Sequence, residues 1–175
     1  MRQLPQLIVI SGCIILFAGL TGCQNAERFP EVMAGRWEGG TTKSRWAFEF
    51  QPDGTILKMN HAMAGQVDLS EGGAHIEGGM GPVSTEFLLG PCQAKYDPHT
   101  REVTIEVIVD YYKIQSLGTA LEGSQTDFFK GPVSEDGKSW NAEWLCYLEI
   151  KGKELRRDKV KPKQVVFTKV AGRSR

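Results

Sequence analysis

The chain alternates. In Arg45-Trp46-Ala47-Phe48-Glu49-Phe50-Gln51 three aromatic residues occupy every second position, which is the spacing of one face of a β-strand. Pro52-Asp53-Gly54 then reads as a turn, and Leu57, Met59, His61 and Met63 share a face of the segment that follows. Glu102 to Asp110 repeats the pattern, with Val103, Ile105, Val107 and Val109 on one side and Glu102, Thr104, Glu106, Ile108 and Asp110 on the other. The longest stripe is Trp140, Ala142, Trp144, Cys146, Leu148 and Ile150, and Gln164 to Val170 supplies a last short strand. Asp97-Pro98-His99-Thr100 and Glu135-Asp136-Gly137-Lys138 punctuate these runs as turns. Past the N-terminal segment no stretch holds an apolar 3.6-residue period for three turns, so little helix is expected. Glu71 to Pro82, with five glycines in twelve residues, is the least strand-like part of the middle and reads as a loop or a weak hairpin.

The expected fold is therefore all-β, about eight antiparallel strands joined mostly by hairpins, as an up-and-down barrel or alternatively a β-sandwich. Gly35-Arg36-Trp37 at the start of the first strand resembles the Gly-X-Trp of lipocalins, in which the tryptophan plugs the closed end of the barrel. Thr126-Asp127-Phe128 is an imperfect echo of the lipocalin Thr-Asp-Tyr turn. The resemblance implies a lipocalin-like barrel, with Gly35 and Trp37 as its fold motif. It departs from that family after the barrel, where the highly charged residues 151–163 lead into a strand instead of a helix.

The N-terminus reads as an address. Met1-Arg2-Gln3 is a short positive start, and Leu7 to Leu20 is an uncharged run of 14 residues. As a helix it is ~21 Å long, short of a ~30 Å hydrocarbon core, which is the pattern of an export signal. Leu20-Thr21-Gly22-Cys23 directly after the run resembles the lipobox of bacterial lipoproteins. That resemblance implies cleavage before Cys23, a diacylglycerol thioether on its sulfur, and usually a third acyl chain, palmitate-type anchoring that two or three chains make stable. The expected organisation is a signal peptide over 1–22, a lipidated tether over 23–33, and one barrel domain over 34–175. Gln24 follows the cysteine where an aspartate would favour the inner membrane, so the family resemblance leans toward the periplasmic face of the outer membrane.

Composition narrows the function more than it names it. The chain of 175 residues is 41% hydrophobic and carries 21 Lys+Arg against 21 Asp+Glu, which excludes a polytopic membrane protein and argues against a nucleic-acid binder. The charge is unevenly placed. Residues 24–150 hold 10 Lys/Arg and 19 Asp/Glu, a net of −9, whereas residues 151–175 hold 10 and 2, a net of +8. Lys151, Lys153, Arg156, Arg157, Lys159, Lys161 and Lys163 form a compact basic segment. It suits an anionic envelope surface, or it complements the acidic domain itself, and the second reading is preferred.

Cys92 and Cys146 are the two cysteines within the domain, and an exported location favours a disulfide between them. Such a bridge closes a loop of about 55 residues, worth ~4 kcal/mol on chain entropy; two buried free thiols are the alternative. Met59, His61 and Met63 on one strand face would offer two thioethers and an imidazole, a donor set suited to Cu(I). A methionine-rich core strand is the preferred reading, and no metal or cofactor is expected. Gly131 to Ser139 misses the phosphate-loop spacing by one residue and lies between strands instead of before a helix. His61, His75 and His99 join no serine, cysteine or carboxylate motif, so no catalytic residue is assigned and an enzyme is the last choice. The two leading expectations are a lipocalin-like domain binding a small apolar ligand or an envelope partner, and a structural or accessory lipoprotein with a solid core. His61 or Tyr96 would supply the polar group of a ligand pocket.

Overall fold

Strand after strand, the apolar side of each alternating run turns toward a common interior. The computed structural model describes residues 29–153 and 159–171. The expected signal peptide, Cys23, the first part of the tether, and Arg156 and Arg157 of the basic segment lie outside the described residues. A 3-10 turn at Glu31–Met33 leads into β1 (Gly35–Gly40), followed by β2 (Arg45–Phe50), β3 (Ile56–His61), β4 (Gly65–Asp68), β5 (Ala74–Met80) and β6 (Val83–Leu89). Then come β7 (Ala94–Asp97), β8 (Glu102–Ser116), β9 (Thr119–Pro132), β10 (Ser139–Ile150) and β11 (Lys163–Lys169).

All pairings are antiparallel, in the order β4-β3-β2-β1-β11-β10-β9-β8-β6-β5, with β7 added beside β8. Neighbours in this path are neighbours in the chain except at two places: β8 pairs with β6, skipping β7, and the last strand pairs with the first through Trp37 opposite Lys169 and Gly40 opposite Val166. The result is a nearly closed up-and-down barrel, and the sandwich alternative is set aside because one continuous sheet curls upon itself. The seam lies between the two edges, β4 and β5. At one end it is bridged by β7. Ala94 N–H donates to Gly54 C=O at 2.8 Å and Ile56 N–H donates to Cys92 C=O at 3.1 Å, which ties the start of β3 to the strand beside β8. There the ring runs β3-β2-β1-β11-β10-β9-β8-β7, eight strands, the number whose interior is just wide enough for side chains to fill.

They fill it. Trp37, Phe48, Phe129, Trp140 and Phe167 are wholly buried, and Trp46 and Phe50 nearly so. Rings from β2 touch rings from β9 across the lumen: Phe48 lies 5.5 Å and Trp46 5.0 Å, centroid to centroid, from Phe129. Trp140 stacks on Phe167 at 4.6 Å. Val103, Ile105, Val107 and Val109 face inward as their alternation requires. The Gly-X-Trp tryptophan, Trp37, is buried at the entry to β1 and donates its Nε1–H to the Met33 carbonyl at 2.8 Å.

Two expectations need correction, and one alternative is decided. Of the loop and the weak hairpin open for the glycine-rich segment, the hairpin is what forms: the segment makes β5 and pairs with β6, with Ala74 opposite Leu89 and Met80 opposite Val83. Glycine allows the close approach here, because a Cβ on Gly79 would stand 2.3 Å from the Val83 carbonyl oxygen. Thr126-Asp127-Phe128 lies inside β9 and makes no turn. The disulfide is absent, and Cys92 and Cys146 are free thiols. Strands β8 and β9 separate β7 from β10, so about three inter-strand spacings, roughly 14 Å along the sheet, lie between them, twice what a disulfide spans.

Candidate functional site

β9 breaks the rule that its neighbours obey. Its inward positions read Gln125, Asp127, Phe129, so two polar side chains stand where the other long strands place apolar ones, and both are buried. The register sets Trp144 of β10 opposite Phe129 and Cys146 opposite Asp127, which brings the Trp144 indole diagonally onto the aspartate. Trp144 Nε1–H donates to Asp127 Oδ1 at 2.7 Å, and the Gln125 amide donates to Oδ2 at 2.5 Å. His61 ends β3 on the other side of the barrel and reaches across, placing Nε2 at 3.3 Å from Asp127 Oδ2. An acceptor-only carboxylate is thus met by three N–H groups in the barrel interior, the condition under which a buried charge is tolerated.

The histidine is fixed by what its other nitrogen does. Nδ1 accepts the backbone N–H groups of Met63 and Ala64 at 3.2 and 3.1 Å, so it bears no proton, and the hydrogen sits on Nε2 facing Asp127. Both ring nitrogens are committed. The Met59–His61–Met63 set accordingly does not converge on a metal: Met59 and His61 are buried, but Met63 lies past the end of β3 and is 39% exposed. Among the described residues one buried polar side-chain atom is left over: Trp46 Nε1, beside His61 at 4.7 Å between ring centroids, has no hydrogen-bond partner there.

This cluster lacks an activated nucleophile. Burial first, then the neighbouring Asp127 carboxylate, pushes the Cys146 thiol up to about 12. Burial and the charge of Glu106 push Cys92 up to about 12 as well, and its Sγ–H donates to the Glu106 carbonyl at 3.3 Å. Thiols held that far up are protonated and inert at neutral pH. The outward row Glu102, Glu106 and Asp110 is a solvated face, with Glu102 paired to Lys130 at 3.2 Å.

Depressions occur on the outside of the barrel. One of about 520 Å³ lies beside the bulge of β8, among Asp110, Tyr111, Ser124, Glu149 and Lys151. Another of about 400 Å³ lies at the β1–β2 turn, with Arg36, Glu38, Arg45 and Asn60 on its walls. Of the basic segment, Lys151 pairs with Glu122 at 3.1 Å, and Lys163 sets its Nζ 4.7 Å from the centroid of the Trp144 ring. Tyr96 is partly buried against the core.

Sequence reasoning named His61 but missed the buried Asp127–Gln125 pair that it meets. The signal was present, in polar residues two apart and in phase with Phe129, but it becomes visible only once β9 is known to run from Thr119 to Pro132. Comparison of the chain with protein-family models, with curated proteins and with solved structures finds no match in any of the three.

Proposed function

We propose that the chain is an exported, lipid-anchored accessory protein of the cell envelope that acts through the outer surface of a solid barrel. The single observation that carries the choice is the filled lumen, in which rings of opposite walls meet at 5.0–5.5 Å. That leaves the exterior, with its charged rows and open depressions, as the face available to a partner. The anchoring half of the proposal rests on the Leu7–Leu20 run and Leu20-Thr21-Gly22-Cys23. Acylated Cys23 and a tether of ten extended residues, at most ~35 Å, would hold the barrel close to its membrane. Gln24 favours the periplasmic face of the outer membrane. Lys151 to Lys163 would meet an anionic envelope surface, although the Lys151–Glu122 pair supports its role as a complement to the acidic barrel. Metabolic labelling with radioactive palmitate tests the anchor: label in the wild type and none in Cys23→Ser is expected, and unchanged labelling of the variant would overturn it.

A second reading, a lipocalin-like site for a small apolar ligand, is favoured by one observation. Ile76, Ile114, Leu121 and Leu148 pack on the core yet remain partly exposed, at the end of the barrel away from β7. Saturable quenching of tryptophan emission by a fatty acid would move the conclusion to this reading.

A further inference from the structure

We infer that the β5–β6 hairpin carries a surface zinc site built from His75, Glu77 and Glu86. This goes beyond the accessory-protein reading and does not depend on it. The three residues stand on the outer face, because Ala74 and Ile76 turn their side chains toward the core and Phe87 is buried between them and β8. Glu77 and Glu86 are direct cross-strand partners. His75 is two residues from Glu77 on the same face, and its Nε2 lies 3.1 Å from Glu86 Oε1 and 3.7 Å from Glu77 Oε1. All three donor atoms fall within 4.8 Å of one another.

Two carboxylates directly opposite each other destabilise an antiparallel pair unless a cation lies between them. Among the described residues, the lysines and arginines do not supply one. Lys113 of β8 stands in register with Glu86, but it pairs with Glu122 at 3.9 Å, and Lys151 pairs with the same Glu122 at 3.1 Å. Among the described residues no lysine or arginine forms an ion pair with Glu77 or Glu86, so the row across four strands runs negative, negative, positive, negative, with its surplus at this hairpin. Among the described residues, His75 is the group that pairs with both carboxylates.

The geometry favours a small divalent ion. Metal–donor bonds of 2.0–2.1 Å in a tetrahedral shell place donors about 3.3 Å apart, and the two distances from His75 bracket that value. One imidazole with two carboxylates is a borderline donor set that suits zinc; calcium and magnesium prefer oxygen donors alone, and Cu(I) prefers sulfur. With three protein ligands a fourth position remains for water. The ion would cross-link an edge strand whose other side faces the seam, and whose Gly78 and Gly79 contribute no side chain to hold it.

The test uses the full chain without a histidine tag, stripped of metal by a chelator and titrated with Zn²⁺ in competition with a chromophoric zinc indicator. One equivalent bound by the wild type is expected, with affinity lowered at least about tenfold in His75→Ala and in Glu86→Gln. His99→Ala, which alters a histidine in the β7–β8 turn, should bind as the wild type does. Circular dichroism establishes that each variant is folded. A second readout separates a metal site from a mere surface ion pair: without zinc, Glu77→Gln melts at or above the wild-type temperature because the repulsion is gone, whereas with zinc the wild type gains and the variant does not. No stoichiometric uptake by about 100 μM Zn²⁺, a concentration at which even a weak surface site loads, would overturn the inference. So would uptake unaffected by His75→Ala.

Discussion

Asp127→Asn is the sharpest perturbation of the barrel interior. The carboxylate now accepts from Trp144 Nε1, the Gln125 amide and His61 Nε2, at 2.7, 2.5 and 3.3 Å. Asparagine offers one oxygen and one amino group in the same space. With its oxygen toward Gln125 and His61, its amino group opposes the Trp144 N–H, and turning it over sets the amino group against the other two. A buried donor left unpaired costs about 1–3 kcal/mol, and two charge-assisted bonds reduced to neutral ones lose roughly another 1–2. Relief of the carboxylate's desolvation offsets part of this. The net expectation is a loss of about 2–4 kcal/mol of unfolding free energy, roughly 10 °C in Tm for a domain of this size. Urea titration followed by tryptophan emission measures it, with an unchanged slope marking a native-state effect. A loss under about 0.5 kcal/mol, or a gain, would refute the claim that three N–H groups are committed to Asp127.

Two further outcomes follow from groups that the fold holds in defined states. Unfolded, unreduced protein should show Cys92 and Cys146 both open to alkylation, while the native protein should react far more slowly because both thiols are pushed up to about 12; mass spectrometry counts the adducts, and blocked cysteines in the unreduced sample would restore the bridge. The exposed turn carboxylates Asp53, Asp68, Asp97 and Asp136 sit below their ordinary 3.8, held by the Thr55 N–H, Ser70, the His99 N–H and Ser134 respectively. Their stabilising contribution is therefore full above the unfolded value near 4 and disappears as pH falls through the lower folded values, so carboxyl NMR titrations should give midpoints under 3.8, and midpoints above it would contradict the turn geometry.

The strands that were legible in the sequence are those with one wet face and one dry. Trp46-Phe48-Phe50, Val103 to Val109 and Trp140 to Trp144 announce their phase because each alternates apolar with polar, and their buried sides are as read. β5 was only half legible, as one of two alternatives, because its pairing uses backbone and glycine, which carry no hydrophobic signal. The alternation alone carries β3 on to Met63, but the chain turns directly after His61, where the ring of His61 itself accepts the N–H groups of the turn. The candidate site was half readable. His61 stood out by type, but its partner Asp127 is 66 residues away in sequence, and only closure of the barrel brings β3 and β9 to face each other. Cys92 and Cys146 illustrate the opposite failure, since two plausible inward positions say nothing about how many strands lie between them.

The central claim is that the lumen is full, and truncating Phe129 in the presence and absence of benzene tests it most directly. Phe129 contacts Phe48, Trp46 and Trp144 at centroid distances of 5.5, 5.0 and 6.0 Å. In a solid core Phe129→Ala opens a cavity and costs about 3–5 kcal/mol, and saturating benzene restores part of that loss while leaving the wild type unmoved, because only the variant has an apolar void to occupy. A loss below about 1 kcal/mol, together with a wild type already stabilised by benzene, would show a hollow barrel and place the function inside it.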